Sequence, residues 1–572
     1  MAFSFTTLAR RAGLLAGLLA GTATAQGQAP TWQTIITAAA ATGSAGGASV
    51  TATVADANGN VYVAGWFAGT VSLGGVSLTS AGSNDVFVAK WNIAAQSFTW
   101  VQQAGGTGTD QVTALALGEG SVYVAGYFEN TATFGSSALT SAGSIDAFVA
   151  RLADAGTSAS FAWARRVGGA GFDQVNALAV NGTSVYAAGY FSGAATFGST
   201  SYTSAGPADA FLFKLADTGS SAAFAWTQIL GGFSNDQANG VAVQGSNVYV
   251  TGLFSGTTAF GNLSLTSTGP FGLFVAKLTD ASPSPTYTWV RQAGGTGIVV
   301  PNALVVQGSQ VYVAGRFQGT ATFGSLSVPN ASTAGGAYDA FVAKLADAGA
   351  TADYVWARGA GGPLSDYVDA LAVRGPAVYI AGSFGGAASF GSTTLTSTAT
   401  SDDTFVAKLT DAGPSASFAW AQSAGGSNTD NALALAPVAT AVYVGGRVYG
   451  AALFGSQPVG AADLGFTGFF TALADATGLA TTPAAAIAKA TIFPTPTPRG
   501  TVATVQLPAI SGVATVGFTV LDALGRVVRA HTAPLAASSQ QTALDVSGLA
   551  PGVYTLRVAA GESLSTARLL VE

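Results

Sequence analysis

The pentad Val-Tyr-x-x-Gly returns seven times along the chain, with its tyrosines at Tyr62, Tyr123, Tyr186, Tyr249, Tyr312, Tyr379 and Tyr443. The intervals are 61, 63, 63, 63, 67 and 64 residues. A period this long and this regular restricts the chain to repeats that bury their apolar faces on one another. A second series, Trp32, Trp100, Trp163, Trp226, Trp289, Trp356 and Trp420, runs in step, and six of these tryptophans precede a Gly-Gly pair.

One period, 172–232, reads as four short strands. Val175 to Val180 is an apolar run suited to a buried inner strand. Asn181-Gly182 follows, as Asn58-Gly59 does in the first repeat, and Asn-Gly supplies the positive φ of a tight hairpin. Val185 to Phe191, Asp209 to Leu215 and Phe224 to Leu230 complete the set. No repeat holds a helix-period segment. The expectation is an all-β chain whose residues 26–478 form a seven-bladed β-propeller with four-stranded blades.

The ends of the array predict how the ring closes. Trp32 arrives before any inner strand, and the last repeat, with strands near Leu433, Tyr443 and Phe469, has no Trp strand after it. Residues 31–36 are therefore expected to supply the outer strand of the last blade, leaving no free edge between last blade and first.

Composition removes several function classes. Only 8% of residues are charged and the net charge is −6, without the basic face that displaces counterions from nucleic acid. There is no Cys, and the one His, His531, lies outside the repeats, so neither thiolate nor His-based metal or catalytic sites are expected in the array. No cofactor and no metal site is expected. Arg10-Arg11, the apolar run Ala12 to Ala20 and Ala23-Thr24-Ala25 read as a signal peptide over 1–25. No later apolar run is long enough for a transmembrane segment.

Two resemblances follow from quoted motifs. Asp56-Ala57-Asn58-Gly59-Asn60-Val61-Tyr62-Val63-Ala64-Gly65, with Asp-x-Phe-Val-Ala-Lys and Trp…Gly-Gly, resembles the bacterial seven-bladed β-propeller repeat family across roughly 31–478. That likeness implies the fold and an exported protein, and hardly narrows the ligand. The segments Ile492-Phe493-Pro494-Thr495-Pro496, Val520 to Val528 and Leu549 to Val558 resemble the type A sorting domain of the type IX secretion system. The resemblance implies passage across the outer membrane, release or surface anchoring, and the secretion machinery as partner of 491–572. Thr495 stands where that family usually has Asn. Read from the residues alone, the same region is a series of short strands, an Ig-like β-sandwich, after an Ala-rich linker over 479–490.

Three Asp series account for 16 of the 27 acidic residues. Asp110, Asp173, Asp236, Asp366 and Asp430 precede the inner strands; Asp85, Asp146, Asp209, Asp339 and Asp403 open the third strands. Asp154, Asp217, Asp280, Asp347, Asp411 and Asp475 lie in the turn before the Trp strand. A catalytic carboxylate is needed once or twice, not once per blade, so periodic Asp reads first as turn chemistry. The alternative is a broken ring of five carboxylates, Asp110 to Asp430, around the channel mouth, interrupted at Thr51 and Val299 and able to hold a cation or hydroxyls. Departures from the repeat are better hints: after the pentad stand Trp66, Tyr127, Tyr190, Leu253, Arg316, Ser383 and Arg447. Aromatics and Arg suit a binding surface, against the bland reading of drift at a half-exposed position.

The reading that results is an exported, non-catalytic binding or adhesion module that meets a glycan or protein on its loop-rich rim. The competing reading is a polysaccharide lyase or hydrolase using rim carboxylates, for which Asp353, Asp369, Asp402, Glu119 and Glu129 are the residues outside the series.

Overall fold

The computed structural model describes residues 30–572 apart from 41–45, 282, 333–335, 400, 461–464, 476–490, 495, 499–500, 508–514, 523–526, 535–539 and 561–562. The signal-peptide and linker expectations lie outside the described residues. All regular structure among the described residues is β, and none contains a helix able to cross a membrane. The chain divides into two compact bodies, Met1–Ala476 and Thr477–Glu572.

The first body repeats one four-stranded antiparallel module. In the third module Asp173–Asn181 pairs with Ser184–Phe191, which pairs with Asp209–Asp217, which pairs with Ala222–Leu230. Gly182 closes the first hairpin at φ +57°, the left-handed conformation that Asn-Gly was expected to supply. The inner strand carries one bulge residue, Asn176, which faces no partner in the register.

The long segment between second and third strands is expected as a loop. It is instead a hairpin, Ala194–Phe197 with Thr200–Thr203 in the third module, which pairs with the end of the preceding module's outer strand (Gly168↔Thr196, Gly169↔Ala195). Consecutive modules are thereby joined by backbone hydrogen bonds. The Gly-Gly pair is required here: a Cβ on Gly169 would stand 1.7 Å from the carbonyl oxygen of Ala194.

Seven inner strands, Gly46–Ala55, Gln111–Gly118, Asp173–Asn181, Gln237–Gln244, Val299–Gln307, Asp366–Arg374 and Asn431–Pro437, each contact the inner strands of the modules before and after, and the seventh contacts the first. Apolar cores fill the seven junctions; the one between last and first modules packs Ala436, Tyr443 and Phe470 against Val50, Val61 and Phe87. The N-terminal segment supplies the outer strand of the last module, with Thr31↔Ala474, Trp32↔Leu473 and Ile36↔Phe470. It then pairs onward to the first module through Ala38↔Leu73 and Ala40↔Val71.

The turn Asp series, the Tyr series, the Trp series and the recurring lysines Lys90, Lys214, Lys277, Lys344 and Lys408 form one network. Asp347 accepts hydrogen bonds from Tyr249 Oη (2.7 Å), Lys277 Nζ (2.7 Å) and Trp289 Nε1 (3.1 Å) of the preceding module, and from Gly349 N of its own turn (2.9 Å). Asp154, Asp280 and Asp411 make the same set with their own Tyr, Lys and Trp partners. In one module Arg151 replaces the Lys and meets Asp217 at 3.0 Å. Burial works to raise the Asp347 carboxyl, but hydrogen bonds from Lys277 and Tyr249 outweigh it and hold it below the ordinary carboxylate range. Between the last and first modules the network is replaced by aromatics, with Tyr443 stacked on Phe470 at 5.3 Å and Trp91 edge-on to Phe470 at 5.9 Å.

A first prediction arises here. Asp347→Ala strands Lys277 as a buried unpaired cation and should cost about 3–5 kcal/mol, read as a lower denaturant midpoint. The double change Asp347→Leu with Lys277→Met should recover part of that loss. A single variant with an unchanged midpoint would refute the network's structural role.

In the second body a three-stranded sheet (Thr491–Phe493, Val502–Leu507, Gln540–Asp545) and a four-stranded sheet (Val527–Pro534, Thr515–Leu521, Gly552–Ala560, Ser563–Val571) share one core of Val505, Phe518, Val520, Leu544, Leu556 and Leu569. The Ala523-Leu524-Gly525 turn lies outside the described residues.

Candidate functional site

The five carboxylates expected around the mouth are not presented there. Asp110, Asp173, Asp236, Asp366 and Asp430 are all 0% exposed. Each accepts on Oδ2 the backbone N–H of the second glycine of its Gly-Gly pair, from Gly106 (2.7 Å) to Gly426 (2.8 Å). Each also donates its own backbone N–H to the residue preceding the third-strand Asp of the module before, as Asp110 does to Asn84 O at 2.9 Å. The positions that interrupt the series differ from the expected ones. Val299 aligns, but in the first module Ala48 stands opposite Phe67 where Asp173 stands opposite Phe191, and Thr51 is the bulge residue.

The bulge residues are a feature that sequence reading missed. Thr51 Oγ1 donates to Val112 O, and Thr113 Oγ1 to Val175 O. Asn176 Nδ2 donates to Ala238 O, Asn239 Nδ2 to Pro301 O and Asn302 Nδ2 to Val368 O, at 3.0, 2.8 and 2.7 Å. The first five inner strands are thus each tied to the next by a side chain from the bulge. The signal was a polar residue at the same place in six of the seven inner runs, with Leu433 in the seventh. The belt stops at the sixth module, where Asp369 occupies the bulge and has no N–H to pass on.

The residues after the pentad divide by environment. Trp66 is buried against Phe466, with ring centroids 5.1 Å apart. Tyr127 and Tyr190 are half-buried, and burial, with a smaller like-signed contribution from Tyr190 and Glu129, pushes the Tyr127 hydroxyl up to about 12. Arg316 lies over two rings, Tyr338 at 5.4 Å and Tyr367 at 5.6 Å, and Arg447 lies over Tyr449 at 5.6 Å. Asp369 feels both guanidinium groups; burial nevertheless pushes its carboxyl up to about 6. The fifth, sixth and seventh modules therefore bring Arg316, Asp369 and Arg447 together beside Tyr338, Tyr367 and Tyr449. This combination of residues occurs once among the seven modules. The other acidic residues outside the series do not join it: Asp353 and Glu119 are exposed, and Glu129 Oε2 accepts the N–H of Thr109 at 3.2 Å.

The surface near the start of the inner strands is also where large apolar side chains stand in solvent. Phe172 is 55% exposed and Phe233 92%. Among the described residues no group of three or more His, Cys, Asp or Glu is placed to hold a metal ion.

Residues 491–572 match the family model of the secretion system C-terminal sorting domain. That match indicates export by the type IX secretion system to the cell surface or extracellular space. No curated protein matches the chain. Among solved structures the chain is similar to a Trypanosoma rangeli sialidase in complex with sialic acid, at 10% identity and TM-score 0.30, covering 80% of this chain and 82% of that one. It is also similar to a glycoside hydrolase family 32 protein from Bifidobacterium adolescentis, at 9% identity and TM-score 0.24, covering 94% and 95%. Likeness at these TM-scores carries no argument about activity.

Proposed function

We propose that the first body is a seven-bladed β-propeller, closed by its N-terminal strand, that serves outside the cell as a non-catalytic binding or adhesion module. The seven four-stranded modules, the cyclic contact of their inner strands and the shared outer strand support the ring. One observation carries the binding reading: the periodic polar residues are consumed by the framework, while the end where the inner strands begin carries a non-repeating cluster on the fifth to seventh modules and exposed Phe172 and Phe233 ahead of the third and fourth inner strands. Immobilised full-length protein should retain specific members of a glycan and surface-protein panel, with or without calcium. Retention of none would remove the reading.

Asp369 favours a second reading, a polysaccharide-active enzyme, because a carboxyl held near 6 suits a general acid. Glycosidic chemistry ordinarily requires a second carboxylate across the bond, and none joins Asp369 in the cluster described above. Turnover of any polysaccharide that is lost in Asp369→Asn would establish this reading over the first.

A further inference from the structure

Thirteen lysines and arginines lie between residues 30 and 475. The five lysines are paired with the turn aspartates at 2.6–2.8 Å. Arg151, Arg165, Arg166, Arg291, Arg358 and Arg374 each donate at least one hydrogen bond to the chain. Arg316 and Arg447 are the remaining two. Neither makes a hydrogen bond or ion pair among the described residues, and Arg447 Nε is buried with no acceptor.

The two exceptions are not scattered. Both act on Asp369, so they stand on either side of one carboxylate carried by the module between them. One negative charge against two guanidinium groups leaves a local surplus of positive charge in a chain whose net charge is −6. A buried guanidinium N–H without an acceptor is costly, and an acceptor from outside the chain removes that cost. Tyr338 and Tyr367 under Arg316, and Tyr449 under Arg447, cover guanidinium faces and leave the N–H edges for such an acceptor. Planar forks of this kind match the two oxygens of a carboxylate or a sulfate ester. The neighbours are amides and phenols: Asn302 donates toward Asp369 at 3.4 Å, and Asn431 stands opposite Arg447 in the strand pair. Groups of that type hydrogen-bond hydroxyls.

We infer that Arg316 and Arg447 bind an oxyanion carried on an acidic polysaccharide, foremost the carboxylate of a uronic acid, with Asp369 between them limiting the site's surplus charge. The inference rests on the binding-module reading and supplies its ligand class. Asp369 is a positioning and charge-setting group in this site, so its removal has the opposite sign from removal of either arginine.

The test is titration calorimetry on the full exported chain with three probes: an oligogalacturonate, its carboxyl-reduced neutral counterpart, and a sulfated neutral oligosaccharide. The oligogalacturonate should bind and the neutral counterpart should not. Arg316→Gln and Arg447→Gln should each weaken binding by about tenfold or more, whereas Arg374→Gln should leave it unchanged. Asp369→Asn should tighten binding several-fold, a gain that a merely structural role for Asp369 would not give. Thermal melts of each variant check that the ring is intact. Arg-dependent binding of the sulfated probe alone supports the anion site and assigns the sulfate ester as its source. Oligogalacturonate binding unaltered in the double Arg variant overturns the inference. Binding of neutral glycans only overturns it too, yet leaves the binding-module reading standing. Binding of nothing by the native chain removes both.

Discussion

A chain lacking residues 31–40 should lose the cooperative melting of its first body, with a fall in Tm on the order of 10 °C or more. The segment deleted is short, but it is the one stretch that pairs with both ends of the array, through Trp32↔Leu473 and Ile36↔Phe470 on one side and Ala38↔Leu73 on the other. Its loss exposes two strand edges and opens the pocket in which Trp32 meets Phe454 edge-on at 4.9 Å. The neighbouring junction cannot compensate electrostatically. Ile93 and Ala472 stand where the other junctions have Asp and a Lys or Arg, as Ile93 N→Gly59 O mirrors Asp154 N→Gly120 O and Tyr443↔Ala472 mirrors Tyr379↔Lys408. The contact between last and first modules therefore rests on packing, backbone pairing and neutral side-chain hydrogen bonds such as those from Gln457 and Thr471 to the N-terminal segment. Differential scanning calorimetry of the truncated chain is the measurement; a single transition at the native temperature would show that the strand is dispensable. Trp32→Ala alone should lower stability by about 3 kcal/mol, in line with large aromatic truncations.

The period carried most of what could be read in advance. Module length, the Asn-Gly hairpins and the role of the Trp32 segment all follow from local rules applied seven times. What escaped was whatever depends on two modules at once. Tyr249 and Asp347 are 98 residues apart in sequence, and no local pattern says that the Tyr, Lys, Trp and Asp series converge on one carboxylate. The aligned position in the first module is Ala48, three residues before the bulge Thr51 just as Asp173 stands three before Asn176, and only the strand register shows it. Arg316 and Arg447 were visible as departures from the repeat, whereas Asp369 stood out only as an acidic residue off the series. Their proximity needs three modules, and so needs the fold.

The first body should also be less stable at pH 8 than at pH 5, against the habit of carboxylate-rich proteins. Each inner-strand Asp shares its junction with the third-strand Asp of the preceding module: Asp110 with Asp85, Asp173 with Asp146, Asp236 with Asp209, Asp366 with Asp339 and Asp430 with Asp403. All ten are at most 3% exposed, and Oδ1 of every third-strand member is buried without a hydrogen-bond partner. Burial foremost, with the neighbouring carboxylate adding to it, pushes Asp110, Asp173 and Asp430 up to about 7 and Asp366 to about 8. One proton per pair would satisfy an otherwise orphaned oxygen. Groups whose folded pKa lies above the unfolded value stabilise fully below the latter, near 4, and that contribution is lost as pH rises through 7 to 8. Asp154, Asp280, Asp347 and Asp411 are held low, so their contribution is lost only on acidification below about 4. The two windows leave a stability maximum near pH 5, with Tm lower by on the order of 5 °C at pH 8. Arg166, 3.0 Å from Asp146, opposes the upward shift at that junction. The chain contains its own control, because the fourth and fifth modules meet through Gly272 and Val299, with the backbone bond Val299 N→Phe271 O kept at 3.1 Å. Copying that pair as Asp339→Gly with Asp366→Val should preserve the fold and remove one fifth of the pH dependence, which thermal melts across pH 5 to 8 would measure. A Tm that rises from pH 5 to pH 8 would refute the shared proton.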